Sequence, residues 1–398
     1  MKNIKNIIKQ HFEYLDCQEK KLHILHNTPE KKIIFSKEES LKTLPLLGEN
    51  FTKKHWVNKH LRTQGQIPEL GIYIFDNCYV CHSGWVLSQE KKIYYSEDII
   101  NTFALHKITQ RIDNPKNNNI LARFLHETNL RSLSFREISD ECVLLTKPGF
   151  RVYGHWLLDI LPMIWLLKKN DFWSLKNNPN LKFLLPQDTP GWALNILNLF
   201  GIDRSSLLFY NHQTEILKIQ RLYLPSCLRI NHILSPQFNK YVEDVYQNYV
   251  NQVKHTTNKN YPKKVFISRI NLESQKTNLV NYQEILTVLK KNNIESISPE
   301  KLDWTEQVYL FSNANLVIGE FGSGLHNTIF SPSATNTIVL ASPRMNWIQS
   351  GISALRNQKI AYIKPKEHTK IKNQWRYSYS PELLDSYLAQ INVTKDSC

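Results

Sequence analysis

Several signatures of well-known chemistry are missing from this chain of 398 residues. It has no Asp-x-Asp pair, and no His-Glu-x-x-His, Walker A or Gly-x-Ser-x-Gly sequence. A zinc protease, a P-loop enzyme and an α/β-hydrolase are therefore not indicated. Zinc-finger spacing, an RNP-type aromatic motif and long basic runs are also missing, which argues against a nucleic-acid partner. We expect no bound metal, no other cofactor and no nucleic acid.

Hydrophobic runs long enough to cross a bilayer are missing too. The longest apolar segment, residues 156–167, is too short and contains Asp159 and Pro162. The first residues carry frequent lysines and lack the apolar region of a signal peptide. We therefore expect a cytoplasmic protein. The spacing of Ile4, Ile7, Ile8 and Phe12 leaves open a peripheral contact with the anionic inner face of the cell membrane, although a core-facing helix gives the same spacing.

Cysteine is scarce and scattered. The six cysteines stand at positions 17, 78, 81, 142, 227 and 398, which is not a disulfide framework. Cys78 and Cys81 form a Cys-x-x-Cys without the second pair that a zinc site of this kind needs. Reduced, half-buried thiols are expected, as in a cytoplasmic protein.

The composition is that of a folded protein with a basic surface. The apolar fraction is 41%, and 9 Trp, 18 Tyr and 17 Phe argue against disorder. The length suggests two domains. Fifty Lys and Arg against 35 Asp and Glu give a net charge of +15, which favours an anionic ligand or surface but is also compatible with a solvated lysine-rich exterior.

Strand and helix patterns divide the chain. Runs between Gly71 and Tyr95 predict a β-meander with turns at Asp76-Asn77 and Ser83-Gly84. Residues 153–169 predict a helix in which Pro162 forces a kink or a local adjustment. After residue 263, strands alternate with helices that begin at Asn281 and Asp303, each with a capping-box Glu, and this predicts a doubly wound parallel sheet.

We therefore expect an α/β protein with four parts. These are an N-terminal domain (1–230), a connector (231–262), a Rossmann-like domain (263–375) and a C-terminal helix (376–398) that packs back on the N-terminal domain.

Glycine is rare, with only 12 residues, so the cluster after the apolar run 315–319 is informative. Gly319, Gly322 and Gly324 lie where a strand ends and a helix-like segment begins. At the carboxyl edge of a parallel sheet, such a loop lets the backbone approach a phosphate or a sugar. The alternative is a simple tight turn between strand and helix.

Charged residues near this loop favour an anionic ligand. Ser268 and Arg269 follow the first strand of the same domain, and an arginine there can bind a diphosphate with two hydrogen bonds. Lys276 adds a second cation. Glu306 and Gln307 open a helix and could bind a nucleotide or a sugar, or could equally be capping and surface groups.

His155 and Asp159 are the candidate catalytic pair. Their spacing of four residues puts both side chains on one face of a helix. A carboxylate that orients a histidine is typical of a general base. A structural histidine at a helix start would show the same spacing.

Taken in order, these segments resemble glycosyltransferase family 61 over residues 70–345. The resemblance rests on His-Trp-Leu-Leu-Asp-Ile-Leu-Pro at 155–162, Ile-Ser-Arg at 267–269, Glu-Gln at 306–307 and the glycine segment 319–327. It implies an inverting, metal-independent GT-B enzyme, with two Rossmann-like domains facing across a cleft and extra β-strands in the N-terminal part. Sugar would pass from a nucleotide sugar, often UDP-linked, to a glycan or lipid-linked saccharide. Bacterial members commonly act in capsule or other surface-polysaccharide synthesis.

The resemblance also implies roles for individual residues. The N-terminal domain would bind the acceptor and supply His155, or Asp159, as the base. The C-terminal domain would bind the donor, with the diphosphate on Arg269, Lys276 and the N–H groups of residues 322–325. The full set of donor-binding residues is Ser268, Arg269, Lys276, Glu306, Gln307, Gly319, Glu320, Phe321, Gly322, Ser323, Gly324, Leu325 and Asn327.

The sequence departs from the family pattern at four positions. Phe321 stands where relatives usually have histidine and Ser323 where they have alanine, so no role of that histidine is carried over. Leu340 replaces an expected glutamate, and Lys276 stands where a second arginine is common. Two other functions are therefore kept open, a sugar-phosphate or phosphoryl transferase and a non-catalytic binding protein of polysaccharide machinery.

Overall fold

The computed structural model describes residues 24–25, 30–35, 38–39, 66–67, 69–87, 93–94, 134–169, 178, 180–250, 260–271, 277–342, 347–371 and 374–393. Two compact units divide the chain. The first takes residues up to Lys37 and Ile67–Asn231, and the second takes Glu38–Gln66 and His232 onward. Lys276, the N-terminal segment 4–12, Cys17 and Cys398 lie outside the described residues.

The first unit is built on a mixed sheet of nine strands in the order β1-β7-β6-β5-β11-β8-β9-β10, with β2 also paired to β5. At one end of the sheet, β11, β8, β9 and β10 run parallel to one another, whereas β5 is antiparallel to β11. The strands of this part of the chain are β1 (Ile24–Leu25), β2 (Glu30–Phe35), β3 (Glu38–Glu39), β4 (Gln66–Ile67), β5 (Leu70–Cys81), β6 (Trp85–Leu87), β7 (Ile93–Tyr94), β8 (Ser134–Leu144), β9 (Lys182–Pro186), β10 (Leu207–Tyr210), β11 (Glu215–Pro225), β12 (Arg229–Ile230) and β13 (Ile233–Leu234).

The helical segment after β8 changes geometry along its length. It begins as α1 (Tyr153–His155), continues as a π-helix over Trp156–Ile160 and ends as α2 (Leu161–Lys168). Pro162 has no N–H to donate, and the chain adapts by widening the turn before it. The predicted local adjustment at Pro162 is therefore confirmed. The same unit contains α3 (Gly191–Leu199) and a short 3₁₀-helix, Arg204–Ser206.

The second unit contains a five-stranded parallel sheet in the order β16-β14-β17-β18-β19. Counted along the chain this is 2-1-3-4-5, a doubly wound order, and the predicted doubly wound parallel sheet is confirmed. A smaller sheet has the order β15-β21-β20. The strands are β14 (Lys264–Ile267), β15 (Thr277–Leu279), β16 (Glu295–Ile297), β17 (Leu316–Glu320), β18 (Asn336–Leu340), β19 (Lys359–Ile363), β20 (Glu367–Ile371) and β21 (Gln374–Ser378).

Helices cover this parallel sheet. The C-terminal helix packs against the helix Tyr282–Lys291 and is tied to its C-terminal end by Asp385, which accepts hydrogen bonds from Lys291 and Asn292. The α-helices of the unit are α4 (Gln237–Val245), α5 (Tyr282–Lys291), α6 (Trp304–Asn313), α7 (Ile348–Leu355) and α8 (Pro381–Val393); a π-helix spans Tyr246–Val250, and 3₁₀-helices span Pro299–Lys301 and Ser323–Phe330.

Two local predictions are wrong. Asp76-Asn77 does not separate two strands, because β5 runs through it with Asn77 at a φ of 52°. Asn281 is the N-cap residue of the helix Tyr282–Lys291, as predicted, but the capping box is not formed. Its side chain bonds Glu284 and the backbone of Tyr379 and caps no N–H of the helix. The capping box of Asp303 and Glu306 is confirmed at α6.

The described cysteines are buried, and the described helices include no candidate membrane span. Cys78, Cys81 and Cys142 are free thiols, and these three and Cys227 are more deeply buried than predicted. Burial raises the pKa of the Cys78, Cys81 and Cys142 thiols to about 12, so these thiols stay protonated. None of the described helices is both long and apolar enough to cross a bilayer.

Candidate functional sites in the two units

The candidate residues of the first unit follow the carboxyl ends of its four parallel strands. The registers that pair Tyr223 with Val143, Leu144 with Leu184 and Pro186 with Tyr210 bring the ends of β11, β8, β9 and β10 side by side. Loops beyond adjacent parallel strand ends are the usual ligand-binding region of α/β proteins. His155 and Asp159 come after β8, and Arg229 comes after β11.

His155, Asp159 and Arg229 form one connected group. His155 Nδ1 lies 2.6 Å from Asp159 Oδ2. On the other side of the carboxylate, Arg229 Nη2 donates to Asp159 Oδ2 at 2.8 Å, and Arg229 Nε lies 2.7 Å from Oδ1. Asp159 is buried and the Arg229 side chain is 10% exposed, whereas 30% of the His155 side chain is exposed. The predicted histidine–carboxylate contact is present, and the imidazole is the member that a substrate can reach.

The electrostatics of this group keep Asp159 ionised. Burial by itself would raise the pKa of Asp159, but the Arg229 charge and the hydrogen bond from His155 outweigh it and hold that pKa below its usual range. A carboxylate can only accept hydrogen bonds, so Nδ1 of His155 is the donor to Asp159, and Nε2 is the nitrogen with a free lone pair whenever the imidazole is neutral. His155 is therefore oriented as a proton acceptor through Nε2.

The backbone of Gly149 packs against the imidazole ring of His155 and supports it. Its φ is +91°, a left-handed conformation that glycine tolerates best. A Cβ at this position would lie 2.4 Å from Cδ2 and 2.7 Å from Nε2 of His155. No side chain fits there unless the ring moves.

Replacing Gly149 with alanine is expected to displace His155 and to strain the backbone. We expect the free energy of unfolding to fall by about 1–3 kcal/mol, and turnover to fall further than that loss of folded protein accounts for. Gly201→Ala is the matched control, because Gly201 also has a positive φ of 75° but has open space around it. Denaturant unfolding together with turnover per folded molecule separates the two effects. Equal turnover in both variants would contradict the support role.

The candidate donor residues of the second unit lie at the point where its strand order reverses. β14 and β17 are neighbours, and the chain leaves them toward β16 on one side and β18 on the other. Ligands of open α/β sheets bind in the crevice beyond the carboxyl ends of such strands. Ile267 pairs with Gly319, so Arg269 and Gly322 follow the two strand ends at similar heights.

Arg269 lies against the glycine turn. Its Nη1 donates to the carbonyl of Phe321 at 2.9 Å. A Cβ on Gly322 would come within 2.8 Å of that Nη1 and 3.1 Å of Cζ. Gly322 therefore lets the guanidinium lie flat on the backbone, and the predicted proximity of arginine and glycine turn is present.

Glu320 is a buried acid at the same strand end. Its side chain is largely removed from solvent, and its Oε2 has no hydrogen-bond partner among the described residues. Burial raises the pKa of Glu320 to about 7, while the charge of Arg269 opposes the rise. Tyr379 is close enough for Glu320 to raise its pKa. A hydrogen-bond acceptor at this sheet edge thus lacks a hydrogen-bond partner among the described residues. A buried polar atom in this condition is typical of a functional position.

The other predicted donor residues are occupied in bonds within the unit. Glu306 caps α6 and accepts from the Tyr261 hydroxyl at 3.0 Å. The amide nitrogen of buried Asn327 donates to Gln307 Oε1 at 3.1 Å and to the Gly324 carbonyl at 3.2 Å. These contacts brace the glycine loop.

The remaining donor-binding candidates are Ser268, the backbone amides of the glycine turn and Lys276. Ser268 Oγ lies 3.2 Å from the Tyr282 hydroxyl. The Leu325 N–H already donates to the Gly322 carbonyl at 3.1 Å, while Ser323 and Gly324 begin the 3₁₀-helix, where the first N–H groups have no partner inside the helix. Lys276 is among the residues that are not described.

Arg229 and Gly149 were missed by the sequence reasoning. Arg229 is 70 residues from Asp159, in a short strand without a motif. The Lys-Pro-Gly turn at 147–149 is a local signal that could have drawn attention to Gly149. Within the described ranges no three His, Cys, Asp or Glu side chains converge as metal ligands, and the expectation of a metal-free site stays a prediction.

Comparison with known proteins finds a family that one part of the chain resembles. Residues 153–339 match the family model described as glycosyltransferase 61. The matched segment starts two residues before His155 and ends one residue before Leu340, so it contains the catalytic candidates, Arg229 and the described donor candidates. No curated protein matches the chain. Residues 153–339 are thus similar to glycosyltransferase family 61, and this similarity supports a glycosyltransferase.

Proposed function

We propose that this protein transfers a sugar from a nucleotide sugar to a hydroxyl group of a glycan or lipid-linked saccharide, with inversion at the anomeric carbon. UDP-sugars are the first donors to consider. The proposal includes the GT-B arrangement, with the two units facing across a cleft, and a role in capsule or other surface-polysaccharide synthesis. It places the enzyme in the cytoplasm, at the inner face of the membrane. The family match supports glycosyl transfer, and the Asp159-oriented His155 is the observation that carries the mechanism.

The first unit supplies the base in this proposal. His155 Nε2 takes the proton of the acceptor hydroxyl while the oxygen attacks the anomeric carbon from the face opposite the leaving group. Asp159 stabilises the imidazolium that forms and is itself kept ionised by Arg229. A single displacement of this kind forms one C–O bond and breaks one, and it inverts the configuration.

The second unit stabilises the leaving diphosphate. Arg269 presents a planar guanidinium at the carboxyl ends of β14 and β17, and the first amides of the 3₁₀-helix lie next to it. Fixed positive groups of this kind stabilise charge as it develops on the leaving group. Because they can take the place of a cation, we propose that transfer does not depend on a metal.

The test is turnover of a donor panel by the full chain. We expect one of the UDP-, GDP- or CMP-sugars to yield free nucleotide together with a glycosylated acceptor, and the rate to be unchanged by a chelator. The configuration of the product can be read by NMR. A retained configuration, or a rate that falls to background with the chelator, would remove inversion or metal independence from the proposal. Transfer of a phosphoryl group to the acceptor would favour the sugar-phosphate transferase instead.

Replacing Arg269 with alanine is expected to weaken nucleoside-diphosphate binding about ten- to a hundredfold, the range for a lost charge-assisted bidentate contact. Arg269→Lys should recover only part of this, because lysine keeps the charge but not the planar fork. Isothermal titration calorimetry with UDP measures both variants. Arg376→Ala is the control, since Arg376 is exposed in β21 of the same unit. Equal UDP affinity in Arg269→Ala and the wild type would remove Arg269 from the site.

A further inference from the structure

A mixed aromatic and charged patch lies near His155 in the first unit and has no part in the mechanism above. We call it the Trp192 patch, and it consists of Arg151, Tyr153, Asp188, Trp192 and His212. Its members follow the carboxyl ends of three adjacent parallel strands: Arg151 and Tyr153 after β8, Asp188 and Trp192 after β9, and His212 after β10. The fold thus gathers them at the same sheet edge as His155.

Trp192 is an exposed aromatic residue held in a fixed position. Its ring meets the ring of Tyr153 edge to face at 5.5 Å between centroids, and that of buried Trp156 at 5.8 Å. Even so, 36% of Trp192 remains exposed at the first turn of α3. An aromatic ring that is anchored by two others but still open to solvent offers a rigid apolar face at little entropic cost.

Charged groups surround this ring. Arg151 pairs with Asp188, and His212 Nδ1 lies 3.2 Å from Asp188 Oδ1. Burial and then the Arg151 charge lower the pKa of His212. The side chains of Arg151 and Asp188 are 56% and 37% exposed, which leaves both able to hydrogen-bond a ligand.

The patch is connected to the catalytic histidine by one short segment. Gly149 supports the His155 ring, and the next residue, Phe150, packs its ring edge to face on His212 at 5.3 Å and lies under the Arg151 guanidinium at 5.5 Å. Tyr153 then begins the helix that carries His155. The patch and the imidazole of His155 thus pack on consecutive residues of one segment, Gly149 and Phe150.

This combination suits a sugar ring. A pyranose has a C–H face that packs on an aromatic ring and a rim of hydroxyls that pair with planar charged groups such as guanidinium and carboxylate. We propose that the Trp192 patch is the acceptor subsite, which holds a pyranose of the acceptor glycan against Trp192, with its hydroxyls on Arg151 and Asp188. This inference rests on the proposed glycosyl transfer and adds to it the place and the chemical class of the acceptor.

The experiment measures glycan binding separately from donor binding. The full chain is applied to a panel of immobilised oligosaccharides built from hexopyranoses, 6-deoxyhexopyranoses and hexuronic acids. We expect the wild type to bind at least one of them. Trp192→Ala should bind it about tenfold more weakly or worse, and Trp192→Phe, which keeps an aromatic face, should retain most of the affinity.

Two controls separate the subsite from folding and from the donor site. Leu199→Ala removes another exposed apolar side chain of α3, and its glycan binding should equal that of the wild type. UDP affinity by calorimetry should be the same in all variants. The proposal is overturned if Trp192→Ala binds glycans as well as the wild type, or if the wild type binds none of the panel. If glycan binding depends on Trp192 but no nucleotide sugar is turned over, the acceptor subsite is supported and the proposed glycosyl transfer is contradicted.

Discussion

Replacing His155 with alanine is expected to lower turnover by about two to four orders of magnitude, the usual cost of a lost general base. The variant should still fold, because the buried Asp159 keeps its two contacts with Arg229. Binding of UDP should not change, because His155 and Arg269 belong to different units. The effect should therefore fall on kcat and not on donor affinity.

His155 is the better residue to replace because Asp159 is buried against Arg229. Asp159→Asn is a poorer choice, because it leaves the largely buried Arg229 without its counter-charge and would cost about 3–5 kcal/mol of stability. His368→Ala is a matched control, since His368 is an exposed histidine of the second unit. Product formation is measured for both variants under donor saturation. Wild-type kcat in His155→Ala would remove His155 from the mechanism.

Replacing Glu320 with glutamine is expected to stabilise the protein at neutral and alkaline pH. The folded-state pKa of Glu320, about 7, lies above the value of 4.5 for an ordinary glutamate. Between these two values the unfolded chain has lost the proton and the folded protein still holds it, so the stability of the wild type falls as pH rises. At about 1.4 kcal/mol per pH unit, the difference accumulates to about 3 kcal/mol by pH 8.

Chemical denaturation of wild type and variant between pH 4 and 8 measures this difference. Subtracting one curve from the other removes the contribution of all other groups. Glu382→Gln is the control with the opposite sign, because the Ser380 hydroxyl donates to Glu382 and lowers its pKa. Its variant should lose stability relative to the wild type as pH rises. A pH-independent difference for Glu320→Gln would show that Glu320 is not a buried acid.

The gain in stability is expected to have a functional cost. Glu320 Oε2 is buried without a partner and lies at the strand end where a donor would bind. Natural proteins keep a destabilising buried carboxyl group of this kind where their activity requires it. We therefore expect ligands that occupy this crevice to narrow the stability difference between the two proteins.

Local sequence patterns predicted most of the second unit and less of the first. In the parallel sheet of the second unit strands alternate with helices, so β14, β16, β17 and β18 could be located from a few residues each. The strands of the first unit are mixed in direction, and β11 pairs with both β5 and β8. Local patterns also failed to predict the hydrogen bonds of the Asn281 side chain, because its partner Tyr379 is 98 residues away.

The sequence alone determined where apolar runs end and which polar residues come next, because the 3.6-residue and two-residue periods and the glycine cluster are properties of neighbouring residues. These located His155, Asp159, Arg269 and the glycine turn. Tertiary structure alone decided which of them meet: Arg229 reaches Asp159 from a strand 70 residues on, and Arg269 lies flat on Gly322. It also decided which charges are buried, and hence that Asp159 remains ionised while Glu320 holds its proton up to about pH 7. Desolvation and charge pairing depend on distances in space, and these are fixed only when the strands have found their register.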